Sequence, residues 1–187
     1  MGKTLGILFT ISTYGTWLRG NVRGWIGDGK LMPPDPTLEL QDLARLRYPP
    51  YRFPKHERLG VGEAIGRSLI ERMDAVIWAI CIQSWHVHFL TGPLRYHVSE
   101  VVKCAKDAAR WHLRIDRPIW CVGYDKRFCF DWRAVWTRRD YVCDHNLEDG
   151  LPARPCEFIQ APPVADPRPP WQRRRFGRDT LPLFSPA

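Results

Sequence analysis

The chain has 187 residues, 44% of them hydrophobic, with 28 Lys and Arg against 20 acids for a formal net charge of +8. Such a length and apolar content suit one globular domain with appendages. No apolar run approaches the roughly 20 residues that span a bilayer, and the first apolar run is interrupted by Thr10, Ser12 and Thr13, so a strand is expected there rather than a signal peptide, in a cytoplasmic protein that avoids membranes.

Leu5 to Tyr14 reads as the first strand, broken by the segment from Gly15 to Gly20. From about 19 to 60 the chain is irregular and rich in Pro and Gly, a stretch long enough to mark a functional insertion, with a short helix from Leu38 to Arg47 inside it. Val61 to Met73 carries Ile65, Leu69, Ile70 and Met73 at helical spacing. Ala75 to Ile82 and Trp85 to Thr91 are apolar strands that form a hairpin across Gln83-Ser84. Ser99 to Arg114 is a second helix, with an apolar stripe through Val101, Val102, Ala105 and Ala109 and a basic stripe of Lys103, Lys106 and Arg110. A further strand lies around Ile119 to Val122, extending through Arg127 to Phe130, and Asp131 caps a third helix running to about Leu147.

The order β-α-β-β-α-β followed by a helix predicts an α+β fold. It is the ferredoxin-like split β-α-β arrangement, an antiparallel sheet with two helices on one face and the other face open. Residues 1–151 form the domain on this reading. The segment 152–187, with nine of the 17 prolines and six arginines, is an extended tail, disordered or laid over the domain or a ligand.

The charge comes with nine Trp, eight Phe and six Tyr. That balance suits nucleic acid, because guanidinium groups meet phosphates and flat rings stack on bases. None of the six cysteines (81, 104, 121, 129, 143 and 156) sits in a C-x-x-C pair, which argues against a zinc knuckle. The chemistry concentrates elsewhere. His86 and His88 flank Val87 on the second strand of the hairpin and project from one face, opposite the core-facing valine. Such a pair can hold one metal ion. On the third helix Tyr141 and His145 share a face one turn apart. Glu148 shares it and Asp144 is at its edge; either could replace His145 as a ligand, or all three could be solvated. Tyr14 and Tyr124 are the fallback nucleophiles.

Taken in order, these residues resemble the single-tyrosine HUH nucleases, and more narrowly the REP-associated tyrosine transposases and their insertion-sequence relatives. The resemblance rests on Trp85-His86-Val87-His88-Phe89-Leu90, the helix with Lys103, the run Trp120 to Arg127, Tyr141-Val142-Cys143-Asp144-His145-Asn146 and Gly150-Leu151, with Thr13 to Leu18 and Arg23-Gly24-Trp25 near the start. It spans roughly residues 5–151. Two positions depart from it: relatives commonly carry an amide four residues after the nucleophile, often followed by proline, where this chain has His145 and Asn146.

The resemblance implies cleavage and strand transfer of single-stranded, hairpin-containing DNA through a 5′-phosphotyrosine intermediate. Tyr141 would be the nucleophile, and His86, His88 and His145 would hold Mg²⁺ or Mn²⁺. Imidazole ligands suit Mn²⁺ better than Mg²⁺. Lys103, Lys106, Arg110, Lys126, Arg127, Arg138 and Arg139 are the candidate DNA contacts. The competing expectations are a non-catalytic nucleic-acid-binding module on the same fold and a replication-initiator or relaxase-like nickase. Relatives include both monomers and homodimers that exchange tyrosines, and the sequence leaves that choice open.

Overall fold

The computed structural model describes residues 2–174. Strand β1 (Gly6–Ser12) is followed by short strands β2 (Trp25–Gly27) and β3 (Lys30–Met32) and by helix α1 (Pro36–Ala44). Then come α2 (Arg58–Met73), β4 (Ile77–Ile82), β5 (His86–Thr91), α3 (Val98–Leu113), β6 (Asp125–Cys129) and α4 (Trp132–Glu148). Strands β4, β5, β1 and β6 lie side by side in that order, every neighbouring pair antiparallel. With β2, β3 and α1 set aside as an insertion, this is the split β-α-β topology expected of the sequence.

Strand alternation divides the sheet into two cores. Phe9, Ile11, Ile80, Val87 and Phe89 face α2 and α3 and pack with Val61, Ile65, Leu69, Val101, Ala105 and Ala109. The Phe9 and Phe89 rings stack there with centroids 4.6 Å apart. Leu8, Ala79, Cys81, Leu90 and Cys129 point the other way and meet Val135, Val142 and Cys143 of α4. The second face, left available by α2 and α3, is covered by α4, the helix that carries Tyr141. The physical reason is that Leu8, Cys81 and Leu90 make its centre apolar, and burying a valine such as Val135 or Val142 there contributes roughly 1.5–3 kcal/mol. Asp131 starts α4 as expected, its side chain accepting from the Ala134 N–H at 2.7 Å.

The insertion is more ordered than its composition suggests. Helix α1 begins earlier than read, capped by Asp35, which accepts from the Leu38 N–H at 3.0 Å. The β2–β3 hairpin turns on Asp28-Gly29, whose φ values of 50° and 74° are the two positive angles of a tight primed turn. An Asp-Gly pair between apolar residues is the sequence signal for it. Ile119 to Val122 is not a regular strand: it supplies only an isolated bridge between Trp120 and Thr13. The Trp120 indole donates instead to the Lys106 carbonyl at 3.0 Å, while the Lys106 ammonium donates to the carbonyls of Cys121 and Gly123, each at 2.9 Å.

The described part of the Pro-rich segment lies on the domain. Ala153, Cys156, Ile159 and Arg168 are buried, and the Gln160 N–H donates to the Ile77 carbonyl at 2.9 Å. Phe158 rests on Gly66 of α2, so closely that a Cβ there would collide with its ring. Residues 175–187 fall outside the described residues.

Candidate active site

Antiparallel register sets the floor of the site. Thr10 pairs with both His88 and Asp125, Ser12 pairs with His86, and Leu8 pairs with Arg127. Residues opposite one another share a face, so Thr10, His86, His88, Asp125 and Arg127 all point toward the α4 side. Helix α4 supplies the roof, with Tyr141 and His145 facing the histidine pair.

The Tyr141 Oη lies 3.3 Å from His88 Nε2. The His88 and His145 rings stack at 5.4 Å and 12°, and the Tyr141 and His145 rings meet edge to face at 4.5 Å. Ligand-capable atoms of His86, His88 and His145 all lie within 4.8 Å of one another. Three of the four residues singled out in the sequence come from β5 and α4 as a metal-ligand set, and the fourth, Tyr141, stands beside them in the same chain.

The histidines are buried, not displayed on an open surface: His86 is 2% and His88 5% exposed. Burial first, then the neighbouring imidazoles and Arg23, pushes His86 down to about 2. Burial, then His145, pushes His88 down to about 3. Both are neutral at physiological pH, the form that ligates metals. The His88 Nδ1–H can donate to Thr10 Oγ1 at 2.9 Å, which leaves Nε2 with its lone pair toward Tyr141. His145 Nδ1 lies 3.0 Å from Glu148 Oε2 and 3.1 Å from Gln83 Nε2; donating to the carboxylate, it cannot also accept from the amide, and its Nε2 is then the acceptor. That Nε2 and both ring nitrogens of His86 are buried without a hydrogen-bond partner. Ring nitrogens of His86 and His145 left without partners, in a cluster where each imidazole offers one ligand atom, fit a divalent cation, since buried polar atoms otherwise find partners. The cluster can hold a metal ion through an all-nitrogen donor set.

Burial raises the Tyr141 phenol above its ordinary value, helped by Cys81 and Glu148, while the Arg127 charge works in the opposite direction. The residue is 45% exposed, so it is accessible to a substrate.

The candidate basic residues do not converge. Arg127 and Arg138 lie on the site's side of the sheet; Arg127 pairs with Asp125 at 3.2 Å and Arg138 approaches Cys129 Sγ at 3.3 Å. Lys126 alternates to the opposite face and lies 5.5 Å over the Tyr124 ring. Lys103, Lys106 and Arg110 ride on α3, across the sheet from Tyr141. Lys103 is paired with Asp107 at 2.6 Å, and Lys106 is committed to the 121–123 turn. Arg139 is buried beside Asp140 and Trp136. Tyr14 and Tyr124 pack on the helical core away from the histidines.

Sequence reading passed over Thr10, Gln83 and the positioning role of Glu148. A lone polar residue inside the apolar run Gly6 to Ile11 was the available signal for Thr10. Gln83 had none beyond its hairpin position.

No protein-family model matches the sequence, and no curated protein matches it. Among solved structures, the chain is similar to a REP-associated tyrosine transposase bound to a REP hairpin. The two share 14% identity over 80% of this chain and 72% of that one, with a TM-score of 0.47. A likeness of this degree is not evidence about activity. Among the described residues no helix is long and apolar enough to cross a membrane.

Proposed function

We propose that this chain cleaves and rejoins single-stranded DNA through Tyr141, beside a divalent cation held by His86, His88 and His145. The observation that carries the proposal is the 3.3 Å approach of the Tyr141 Oη to His88 Nε2 within the imidazole cluster of one chain. The Tyr141 oxygen, its proton released to solvent, attacks the phosphorus of a backbone phosphodiester. The new P–O bond links tyrosine to the 5′ side of the break, the P–O3′ bond opens, and the displaced oxygen takes up a proton as a 3′-hydroxyl. The phosphotyrosine conserves the energy of the broken bond, so a second 3′-hydroxyl can reverse the step and join strands.

A bound cation, Mn²⁺ in preference to Mg²⁺ for three imidazoles, supplies positive charge that polarises the scissile phosphate. An imidazole held near 3 is a poor acceptor for a phenol proton and a good neutral ligand, so His88 is assigned to metal holding rather than to base catalysis. Arg127 adds a fixed positive charge that favours the phenolate. Thr10 and Glu148 fix the imidazole tautomers. Because the tyrosine and the histidines belong to one chain, the chemistry does not require a partner's tyrosine.

The test is covalent capture. Wild-type protein with a labelled, hairpin-bearing single-stranded oligonucleotide and Mn²⁺ should yield an adduct that survives denaturation and maps to Tyr141. Tyr141→Phe should abolish the adduct while retaining DNA binding. Binding without any adduct, in Mn²⁺ or Mg²⁺, would overturn the enzyme and leave a nucleic-acid-binding module.

A further inference from the structure

A cleft of about 400 Å³ opens where the inserted segment meets the loop before β5, lined by Thr16, Asn21, Arg23, Glu39, Arg52 and Trp85 among others. That size falls within the range of small-ligand sites. It adjoins the candidate active site through one residue: the Trp85 ring lies 3.8 Å, centroid to centroid, from the His86 ring.

The walls are built and held. The Arg23 guanidinium lies 3.7 Å over the Trp85 ring. It is fixed there by donating from Nε to Asn21 Oδ1 at 2.9 Å and from Nη2 to the Thr16 carbonyl at 2.8 Å. The Thr13 hydroxyl in turn donates to the Trp85 carbonyl at 3.0 Å, and the Thr16 hydroxyl donates to the Thr13 carbonyl at 2.8 Å. Asn21, itself 6% exposed, donates from Nδ2 to Glu39 Oε1 at 2.6 Å, which aims that carboxylate from α1. Arg52 is exposed and makes no hydrogen bond or ion pair with a described residue.

The chemistry narrows the occupant. A bare phosphate would meet the Glu39 carboxylate and be repelled, and an apolar ligand would strand two guanidinium groups. A nucleotide satisfies all three features: its base stacks on indole or guanidinium planes, its amino group donates to a carboxylate, and its phosphate meets a cation. Adenine, cytosine and guanine carry such an amino donor and thymine does not. We infer that this cleft seats an amino-bearing nucleobase of the single strand, flanking the phosphodiester presented to Tyr141. The inference rests on the function proposed above and names the part of the substrate that the insertion reads. Glu39 and Asn21 would set the base preference, with Arg52 holding the adjoining phosphate.

Selection from a pool of random single-stranded 24-mers by the Tyr141→Phe protein tests it. The selected sequences should share a position that excludes thymine. Glu39→Gln, which keeps a hydrogen-bonding partner for Asn21, should relax that position by about fivefold or more while leaving the others unchanged. Arg52→Ala should weaken binding to all sequences several-fold and lower the slope of log affinity against log salt by about one, without loss of fold because its side chain holds no described residue. Identical motif and affinity in parent, Glu39→Gln and Arg52→Ala proteins would overturn the cleft assignment, as would a parent with no base preference at all. If those results came from a protein that still forms the Tyr141 adduct, the cleft alone would fall. If no adduct formed yet Glu39→Gln relaxed one position, the cleft would stand and the nuclease would fall.

Discussion

The Arg168 guanidinium reaches Asp140 Oδ2 at 2.5 Å, joining the Pro-rich segment to the residue immediately before Tyr141. Its second partner, Asp166, accepts at 2.6 Å, and Arg168 is only 6% exposed. Asp140, 5% exposed, also has Arg139 at 3.4 Å. The segment after Leu151 is thus coupled through a buried ion-pair network to the helix that carries the tyrosine.

Removing Arg168 leaves a buried carboxylate with one weaker partner. Breaking one side of a buried pair commonly costs about 3–5 kcal/mol, and Arg139 offsets part of it here. Arg168→Ala should therefore lower the unfolding free energy by about 3 kcal/mol in a urea titration. An unchanged denaturation midpoint in Arg168→Ala would show the network to be a surface decoration.

Hydrogen bonds from Arg168 hold the Asp166 carboxyl below its usual range, against the opposing effect of burial. A depressed folded-state value means stability that is fully present above the unfolded value, about pH 4, and lost as pH falls through the folded one. The attachment of the segment should loosen below pH 4 and be constant above it. The Trp136 indole donates to the Val164 carbonyl at 3.0 Å, so its N–H resonance reports the attachment directly. That resonance should shift on acidification in the wild type, and the part of the shift due to Asp166 should vanish in Asp166→Asn.

How much of this was legible beforehand follows from what each residue depends on. Strand and helix order could be read because Val87 and Phe89, or Val101 and Ala105, repeat at the spacing of their own element. His86, His88 and Tyr141 could be found because each stands out from a local pattern. The contacts that seat α4 on the histidine face could not, because they join Leu8, Cys81 and Leu90 from three strands to Val142 and Cys143. Asn146 shows the same limit. In the sequence it is only a polar residue near the end of a helix. In the fold it is 1% exposed and its amide donates to the Ile80 and Ala153 carbonyls at 3.0 and 3.2 Å, binding α4 to β4 and to the following segment. The surroundings of the Arg and Lys residues could not be read, because charge patterning gives no depth. Lys106 and Arg139 turn inward to partners that lie far away in the sequence or on the same helix.

His86 has two buried ring nitrogens without partners, a cost of about 1–3 kcal/mol for an unsatisfied buried group. Function and stability should therefore conflict at this position. His86→Leu should raise the melting temperature of metal-free protein by a few degrees and abolish its response to Mn²⁺. Wild-type protein should instead gain about 2.7 kcal/mol at a Mn²⁺ concentration 100 times the Kd. Equal melting temperatures for wild type and His86→Leu, both rising with Mn²⁺, would exclude His86 as a ligand.

Thr10 contacts neither DNA nor metal in the proposed centre; it acts through His88 Nδ1, 2.9 Å away. Thr10→Val keeps the side-chain shape and removes the acceptor that holds the imidazole in one tautomer. Losing such a supporting hydrogen bond typically costs 10- to 100-fold in metal affinity. Titration calorimetry should show Mn²⁺ binding weakened by about that factor. Thr10→Ser, which restores an oxygen, should recover most of it. A merely structural role would behave differently, because loss of packing would make the smaller serine variant worse than valine and lower the melting temperature without selectively weakening the metal. Adduct formation by Thr10→Val should then return when Mn²⁺ is raised in proportion to the lost affinity, since neither Tyr141 nor any ligand has been removed.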